Sequence, residues 1–219
     1  MLIATSWDDG LVSDRPLLDI LERHGVRASF AISPGRHSLF KELNDYRDAK
    51  YGWIVPKRDL LMYQDHDICN HTQHHQDLQY ASPSDIHRPI YDGKAMLESL
   101  YCRRIDGIVW PYGVYNNNCI TAAKASQHAY GRGTNDEWPH HFNVTPVYNW
   151  KTFELHELLE SKLRGVVLYG HTYELESSEQ WEWLDRFYRD ASADDRCQLV
   201  TLGEYAEKKR NARESKVQL

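Results

Sequence analysis

The chain has 219 residues, of which 41% are hydrophobic and 26% charged, with a formal net charge of −6. That length fits one domain, and no apolar run approaches the roughly 18 residues a membrane-spanning helix needs. An acidic balance without a basic stripe argues against a protein that tracks nucleic-acid phosphates. Seven Trp and 14 Tyr are many for this size; flat aromatic faces suit sugar rings, but they build core equally well.

In chain order, the pattern alternates short apolar or β-branched runs with longer segments of helical period. A strand is predicted at Leu2–Thr5, a helix from about Arg15 to His24 stopped by Gly25, and a strand through Ala28–Ile32. Pro34–Pro56 carries Gly and Pro and reads as an irregular loop, followed by a short helix at Arg58–Gln64 and a strand at Asp67–Asn70. Ser82-Pro83-Ser84-Asp85 opens a helix to about Arg103, and Gly107–Trp110 is the next strand. A helix at Asn116–Gln127, strands at Ala129–Arg132 and Asn143–Tyr148, and a helix at Thr152–Leu163 come next. The compact apolar run Gly165–Gly170, a helix at Ser178–Ala191 and a strand at Gln198–Thr201 complete the pattern. Repeated strand–helix alternation predicts an α/β fold, a distorted (β/α) barrel of about seven parallel strands with outer helices. One domain over residues 1–205 and a charged tail over 206–219 are expected.

No basic region or apolar signal core precedes the first strand, so a cytoplasmic protein is expected. Cys69, Cys102, Cys119 and Cys197 lie far apart without a C-x-x-C pair, which points to reduced structural thiols.

Four polar segments sit where predicted strands end, the place where barrels of this class carry chemistry. The first is Trp7-Asp8-Asp9-Gly10, whose adjacent carboxylates repel and gain from a nearby cation or a division of roles. The second is Asn70-His71-Thr72-Gln73-His74-His75. A spacing of four would bring His71 and His75 onto one face of a helical turn, a workable metal clamp, with His74 turned away. No Glu follows the first His, so the zinc-protease pattern H-E-x-x-H fails. The third is Trp110-Pro111-Tyr112-Gly113 and the fourth Leu168-Tyr169-Gly170-His171. Each alone has an ordinary structural reading as a turn or a hydrogen-bonded histidine.

Taken in this order, the four segments resemble the signatures of the NodB-homology polysaccharide deacetylases: T-F-D-D-G, H-[ST]-x-x-H, R-x-P-Y-G and a late strand closing in L-x-H. Gly25-Val26-Arg27-Ala28-Ser29-Phe30 is similar to that family's second strand, so the likeness spans residues 1 to about 205. The resemblance implies a divalent metal, most readily zinc and otherwise cobalt, iron, nickel or manganese, held by Asp9, His71 and His75. It implies Asp8 as general base and His171 as general acid in the removal of an N-acetyl group from an amino sugar or N-acetylated glycan by metal-activated water. It further implies an oxyanion contact from the Tyr112 amide, a substrate site about Trp110, Pro111 and Tyr112, and Leu168 lining the pocket for the acetyl methyl. One carboxylate and two imidazoles leave coordination positions open for water and substrate. The implied partner is an N-acetylated carbohydrate or small N-acyl compound, with no nucleic acid and no membrane span.

Two departures stand out. The family's Arg of the third segment falls on Val109, and Arg132 in Tyr130-Gly131-Arg132-Gly133 is the candidate to supply that charge from a neighbouring strand. The family's D-x-x-D-W segment is echoed only by Asn135-Asp136-Glu137-Trp138, where Asp136 would orient His171 and Trp138 would stack on a sugar. Three alternatives remain: hydrolysis of another C–N bond such as a formamide or cyclic amide, an iron oxygenase using the same two-His, one-carboxylate set, and a non-catalytic carbohydrate-binding protein on the same fold.

Overall fold

A computed structural model describes residues 1–38, 47–48, 52–134, 142–152 and 154–217. The strands are β1 (Leu2–Asp8), β2 (Ser29–Ile32), β3 (Arg47–Asp48), β4 (Gly52–Trp53), β5 (Asp67–Asn70), β6 (Gly107–Val109), β7 (Tyr130–Arg132), β8 (Val147–Asn149), β9 (Gly165–Gly170) and β10 (Gln198–Val200). The helices are α1 (Asp14–Arg23), α2 (Pro34–Ser38), α3 (Pro83–Tyr101), α4 (Asn117–Ala125), α5 (Leu155–Glu160), α6 (Ser178–Ala193) and α7 (Leu202–Val217).

Seven strands run parallel in the order β7-β6-β5-β2-β1-β9-β8, with β3 and β4 forming a separate small ladder. β10 inserts beside the first half of β1, pairing Leu2 to Ala4, while β2 pairs the second half, Ser6 to Asp8. A parallel bridge between Gly131 and Asn143 links β7 to the segment before β8 and brings the two ends of the sheet together. The result is the expected distorted barrel with helices outside. Two expected elements are shorter than predicted. The strand read at Asn143–Tyr148 is interrupted before Val147 by Pro146, which has no N–H for a ladder. The helix read at Thr152–Leu163 is confined to α5, because Glu154 and Glu157 form a capping box that starts it late. The expected loop at Pro34–Pro56 contains the five-residue α2, and the helix read at Arg58–Gln64 is a 3₁₀ segment, Lys57–Tyr63.

Strand alternation divides β1 between two environments. Ile3 and Trp7 point outward and pack with Leu17, Ile20 and Leu21 of α1. Ala4 points inward with Ala31, Cys69, Val109, Val147 and Val167. The same parity carries Ser6 and Asp8 to the barrel interior near the strand's C-terminal end. At the opposite end Leu202 and Tyr205 of α7 close the barrel, with the Tyr205 hydroxyl donating to the Thr145 carbonyl at 3.0 Å. Asp67 fastens this plug: its Oδ2 accepts from Ser29 Oγ at 2.7 Å, Tyr130 OH at 3.0 Å and the Gly203 amide at 3.2 Å. α7 runs on to Val217, so the charged C-terminal segment continues the plugging helix. Among the described residues no helix is long and apolar enough to cross a membrane.

His128, in the turn between α4 and β7, is buried and donates Nδ1–H to the Ala123 carbonyl at 3.2 Å. Its Nε2 accepts from Asn70 Nδ2 at 3.2 Å, so a second ring proton would face a donor. Burial, reinforced by the Lys94 charge, lowers its pKa to about 4. A folded-state pKa below the unfolded value near 6.5 contributes stability above pH 6.5 that is lost as pH falls toward 4. About 2 kcal/mol of stability is expected to go by pH 5 from this group, on the scale of ~1.4 kcal/mol per unit. Thermal melts at pH 7 and pH 5 test this: His128→Gln, with no proton to gain, should show a smaller drop in Tm than the wild type. Equal drops would refute it.

Candidate active site

The polar segments that follow β1, β5, β6 and β9 meet at the C-terminal end of the barrel. β1 hands the chain directly to Asp9, whose backbone turns to φ 79° while its amide donates to the Ala31 carbonyl at 3.0 Å. Gly10 continues the turn at φ 66°, and a Cβ there would lie 2.8 Å from Cε1 of the buried His37. Gly10 therefore serves both the left-handed conformation and the close approach of His37. The turn leaves Asp8 and Asp9 consecutive and both buried, yet directed at different neighbours.

Asp9 Oδ1 lies 3.4 Å from His75 Nε2 and 3.9 Å from His71 Nε2. One ligand atom from each of Asp9, His71 and His75 falls within 4.8 Å of the other two. The two histidines do not share a helical turn, as their spacing had suggested. They flank a non-helical turn with φ 59° at both Thr72 and His75, which folds the chain back so that the imidazole centroids approach to 4.6 Å. The turn is anchored by Ser33 Oγ donating to the His71 carbonyl at 2.7 Å and by the Gln73 amide on the Pro89 carbonyl at 2.8 Å. His71 Nδ1 donates to the Val109 carbonyl at 2.7 Å, which fixes the tautomer and leaves Nε2 facing Asp9.

The donor set fits a divalent cation. Burial, together with the neighbouring His75, pushes the His71 pKa well below the usual imidazole range. Burial likewise lowers His75 against the opposing pull of Asp9. Neutral imidazoles and a carboxylate are the forms a metal binds. Arg36 of α2 donates Nη1–H to Asp9 Oδ1 at 3.0 Å, tying the carboxylate to a second element. Nothing in the sequence around Pro34-Gly35-Arg36 signalled that contact. His74 is exposed and takes no part.

Asp8 points into the barrel, where Arg132 Nη2 donates to its Oδ1 and to Ser6 Oγ, the latter at 3.2 Å. Arg132 is fully buried, and its guanidinium lies over the Tyr169 ring at 5.0 Å. Val109 and Arg132 are register partners on the adjacent strands β6 and β7. In a parallel ladder such partners project from the same face, so the charge absent at Val109 is supplied one strand over at the same height. Asp8 Oδ2 is left 3.9 Å from His171 Nε2, and Asp9 Oδ2 is 3.8 Å from that same nitrogen. His171 Nδ1 bonds Glu174 Oε1 at 3.1 Å. Burial alone would lower the His171 pKa, but the Glu174 hydrogen bond and the charges of Asp8, Asp9 and Glu174 raise it above the ordinary value.

Other expected contacts are redistributed. Pro111 opens a single buried 3₁₀ turn, and Tyr112 stands half exposed at φ 59° with its ring edge against His75 at 4.7 Å. Trp110 does not face the cleft. It is buried with Ile86, Ile90 and Ile120, stacks on Tyr115 at 5.4 Å and donates to Asn143 Oδ1 at 3.2 Å. Leu168 does not line the cleft either, because its parity sends it outward to the core shared with Trp150 and Leu184. Its neighbour Tyr169 faces inward under Arg132. The L-x-H spacing, counted back two residues from His171, falls on Tyr169 and would have identified it. Glu174, three residues beyond His171, could have been found as a carboxylate in the same turn. Asp136 and Trp138 lie outside the described residues.

The sequence profile of the family described as polysaccharide deacetylase matches residues 1–131. A search of curated proteins finds no match. Among solved structures, a putative polysaccharide deacetylase from Mycobacterium smegmatis is 14% identical, with a TM-score of 0.70 over 97% of this chain and 91% of that one. The deacetylase PplD of Streptococcus pyogenes, in complex with acetate, is 20% identical with a TM-score of 0.51; the match covers 59% of this chain and 54%, about half, of that one. A CE4 family pseudoenzyme from Bacillus anthracis is 15% identical, with a TM-score of 0.59 over 94% of this chain and 65% of that one. At these identities the structural likenesses speak to the fold.

Proposed function

This chain belongs to the polysaccharide deacetylase family, and on that premise we propose that it is a metal-dependent hydrolase removing an N-acetyl group from an amino sugar or N-acetylated glycan. The observation that carries the reading is the convergence of Asp9, His71 and His75 within 4.8 Å, flanked by a second carboxylate and a hydrogen-bonded imidazole. Mere binding of a sugar needs neither an acid nor a base.

Asp9, His71 and His75 would hold the metal. When bound, a divalent ion, zinc foremost, supplies Lewis acidity and a water of lowered pKa at neutral pH. Asp8 accepts the proton of the attacking water at Oδ2, since Oδ1 is engaged by Arg132. Arg132 thus fixes which oxygen of the base faces the cleft. The Tyr112 amide donates to the developing charge on the carbonyl oxygen. His171, protonated on Nε2, hands that proton to the departing nitrogen, and acetate and the free amine leave. Hydrolysis of another C–N bond would draw on the same groups, and only the substrate decides between them.

The deciding experiment is acetate release from N-acetylglucosamine oligomers by protein loaded with zinc or cobalt. Turnover dependent on added metal and abolished by a chelator is expected. Measurable glycan binding without turnover of any amide would favour a non-catalytic carbohydrate-binding protein, a reading kept alive by the valine at position 109.

A further inference from the structure

We propose that Glu174 is the positioning residue of His171, taking its Nδ1–H and so turning Nε2 toward Asp8 and Asp9. This rests on the reading of His171 as the acid. The sequence had pointed to Asp136, in the segment between β7 and β8, for that task.

Local geometry builds the pair. His171 leaves β9 in an extended conformation, and a 3₁₀ turn at Thr172–Glu174 folds straight back, the Glu174 amide donating to the His171 carbonyl at 3.0 Å. That reversal places the Glu174 carboxylate beside the ring of a residue only three positions earlier. Both of its oxygens are engaged. Oε1 meets His171 Nδ1 at 3.1 Å, while Oε2 accepts from Trp150 Nε1 at 3.0 Å and Asn149 Nδ2 at 3.4 Å.

The donors come from the end of β8 and the residue after it, so the carboxylate is gripped by the barrel wall. Trp150 can reach it because Gly170 offers no side chain: a Cβ there would lie 2.0 Å from Trp150 Cδ1. The other end of the turn is pinned by Thr172 Oγ1, which donates to buried Asp14 at 2.5 Å and contacts Ser13 Oγ at 2.7 Å. A carboxylate held by two donors from the barrel wall and bonded to one ring nitrogen sets the tautomer and the plane of the imidazole. Its second nitrogen then lies 3.9 Å from Asp8 and 3.8 Å from Asp9.

The test compares two leaving groups on the zinc-loaded protein. An amide nitrogen leaves only when protonated, whereas the phenolate of p-nitrophenyl acetate leaves without a proton. Glu174→Gln is expected to lower kcat on an N-acetylglucosamine oligomer about 10- to 100-fold. KM, metal content and ester hydrolysis should stay within about twofold, and the variant should add little to His171→Ala. Equal losses on amide and ester would mean general damage to the cleft and would overturn the proposal. So would unaltered amide turnover, or an amide-selective loss in Asp136→Asn that Glu174→Gln lacks.

A second readout needs no activity. In proton NMR, an exchange-protected ring N–H resonance that disappears in His171→Ala should also disappear in Glu174→Ala and persist in Asp136→Asn. Should no substrate be turned over, the deacetylase reading fails, and this resonance still decides whether Glu174 holds the ring.

Discussion

His71→Ala is expected to yield a folded protein that retains no stoichiometric divalent metal and hydrolyses N-acetylglucosamine oligomers at least about 10³-fold more slowly. The magnitude follows from several kcal/mol of charge stabilisation, at ~1.4 kcal/mol per decade of rate. Removing the imidazole deletes one of three donors and the Nδ1 bond to the Val109 carbonyl. Losing that buried hydrogen bond costs about 1–3 kcal/mol, which a domain of this size tolerates. Metal analysis per chain, circular dichroism and acetate release separate the possibilities. A variant that keeps wild-type metal content would remove His71 from the ligand set. One that loses the metal yet keeps its rate would remove the metal from the reaction.

The second large effect is expected at Arg132. Its guanidinium and the Asp8 carboxylate are both buried and bonded to each other, and breaking such a pair by deleting one partner costs about 3–5 kcal/mol. Arg132→Met should therefore lower the unfolding free energy by that amount and slow amide hydrolysis by about 10- to 100-fold, because Asp8 loses the contact that fixes its free oxygen. If Arg132→Met folds poorly, the double variant with Asp8→Asn provides the control. It removes the stranded charge and should regain stability without regaining activity. A sharper test moves the charge back by one strand. Since Val109 and Arg132 are register partners facing the same interior, Val109→Arg combined with Arg132→Val should recover part of the activity that Arg132→Val alone loses. Arg132→Met with unaltered activity would leave Arg132 as packing over the Tyr169 ring.

Both expectations depend on a cleft whose chemistry comes from short segments after four strands, with the strands themselves serving as a frame. Parity along those strands explains the contacts that differ from expectation. Trp110 and Leu168 carry the right residue types for a substrate site, but their side chains leave the barrel outward. Tyr169 and Arg132, one position off or one strand over, face inward. A one-residue shift along a strand moves a side chain to the other face, so a motif aligned loosely on sequence assigns the wrong wall of the cleft.

The sequence by itself determined the class of fold, and through its ordered motifs it named Asp9, His71 and His75 as the candidate ligand residues, because strand–helix alternation and short motifs are local signals. Strand–helix alternation, Gly25 after α1 and the apolar run of β9 are written in short windows. Asp9 follows the end of β1, and His71 and His75 follow the end of β5. Only the tertiary structure decided which groups support that set. Arg36 reaches Asp9 from α2, Arg132 reaches Asp8 across the barrel, and the β8 end grips Glu174 beside His171. Each is a contact between elements, fixed by sheet order, register and the direction of a turn, and neither composition nor periodicity encodes these in any single stretch of chain. The helical clamp expected from the His71–His75 spacing fell for the same reason. Two residues with positive φ, in a turn anchored by Ser33 just after β2 and by Pro89 of α3, bring the imidazoles together where a helical turn was not available.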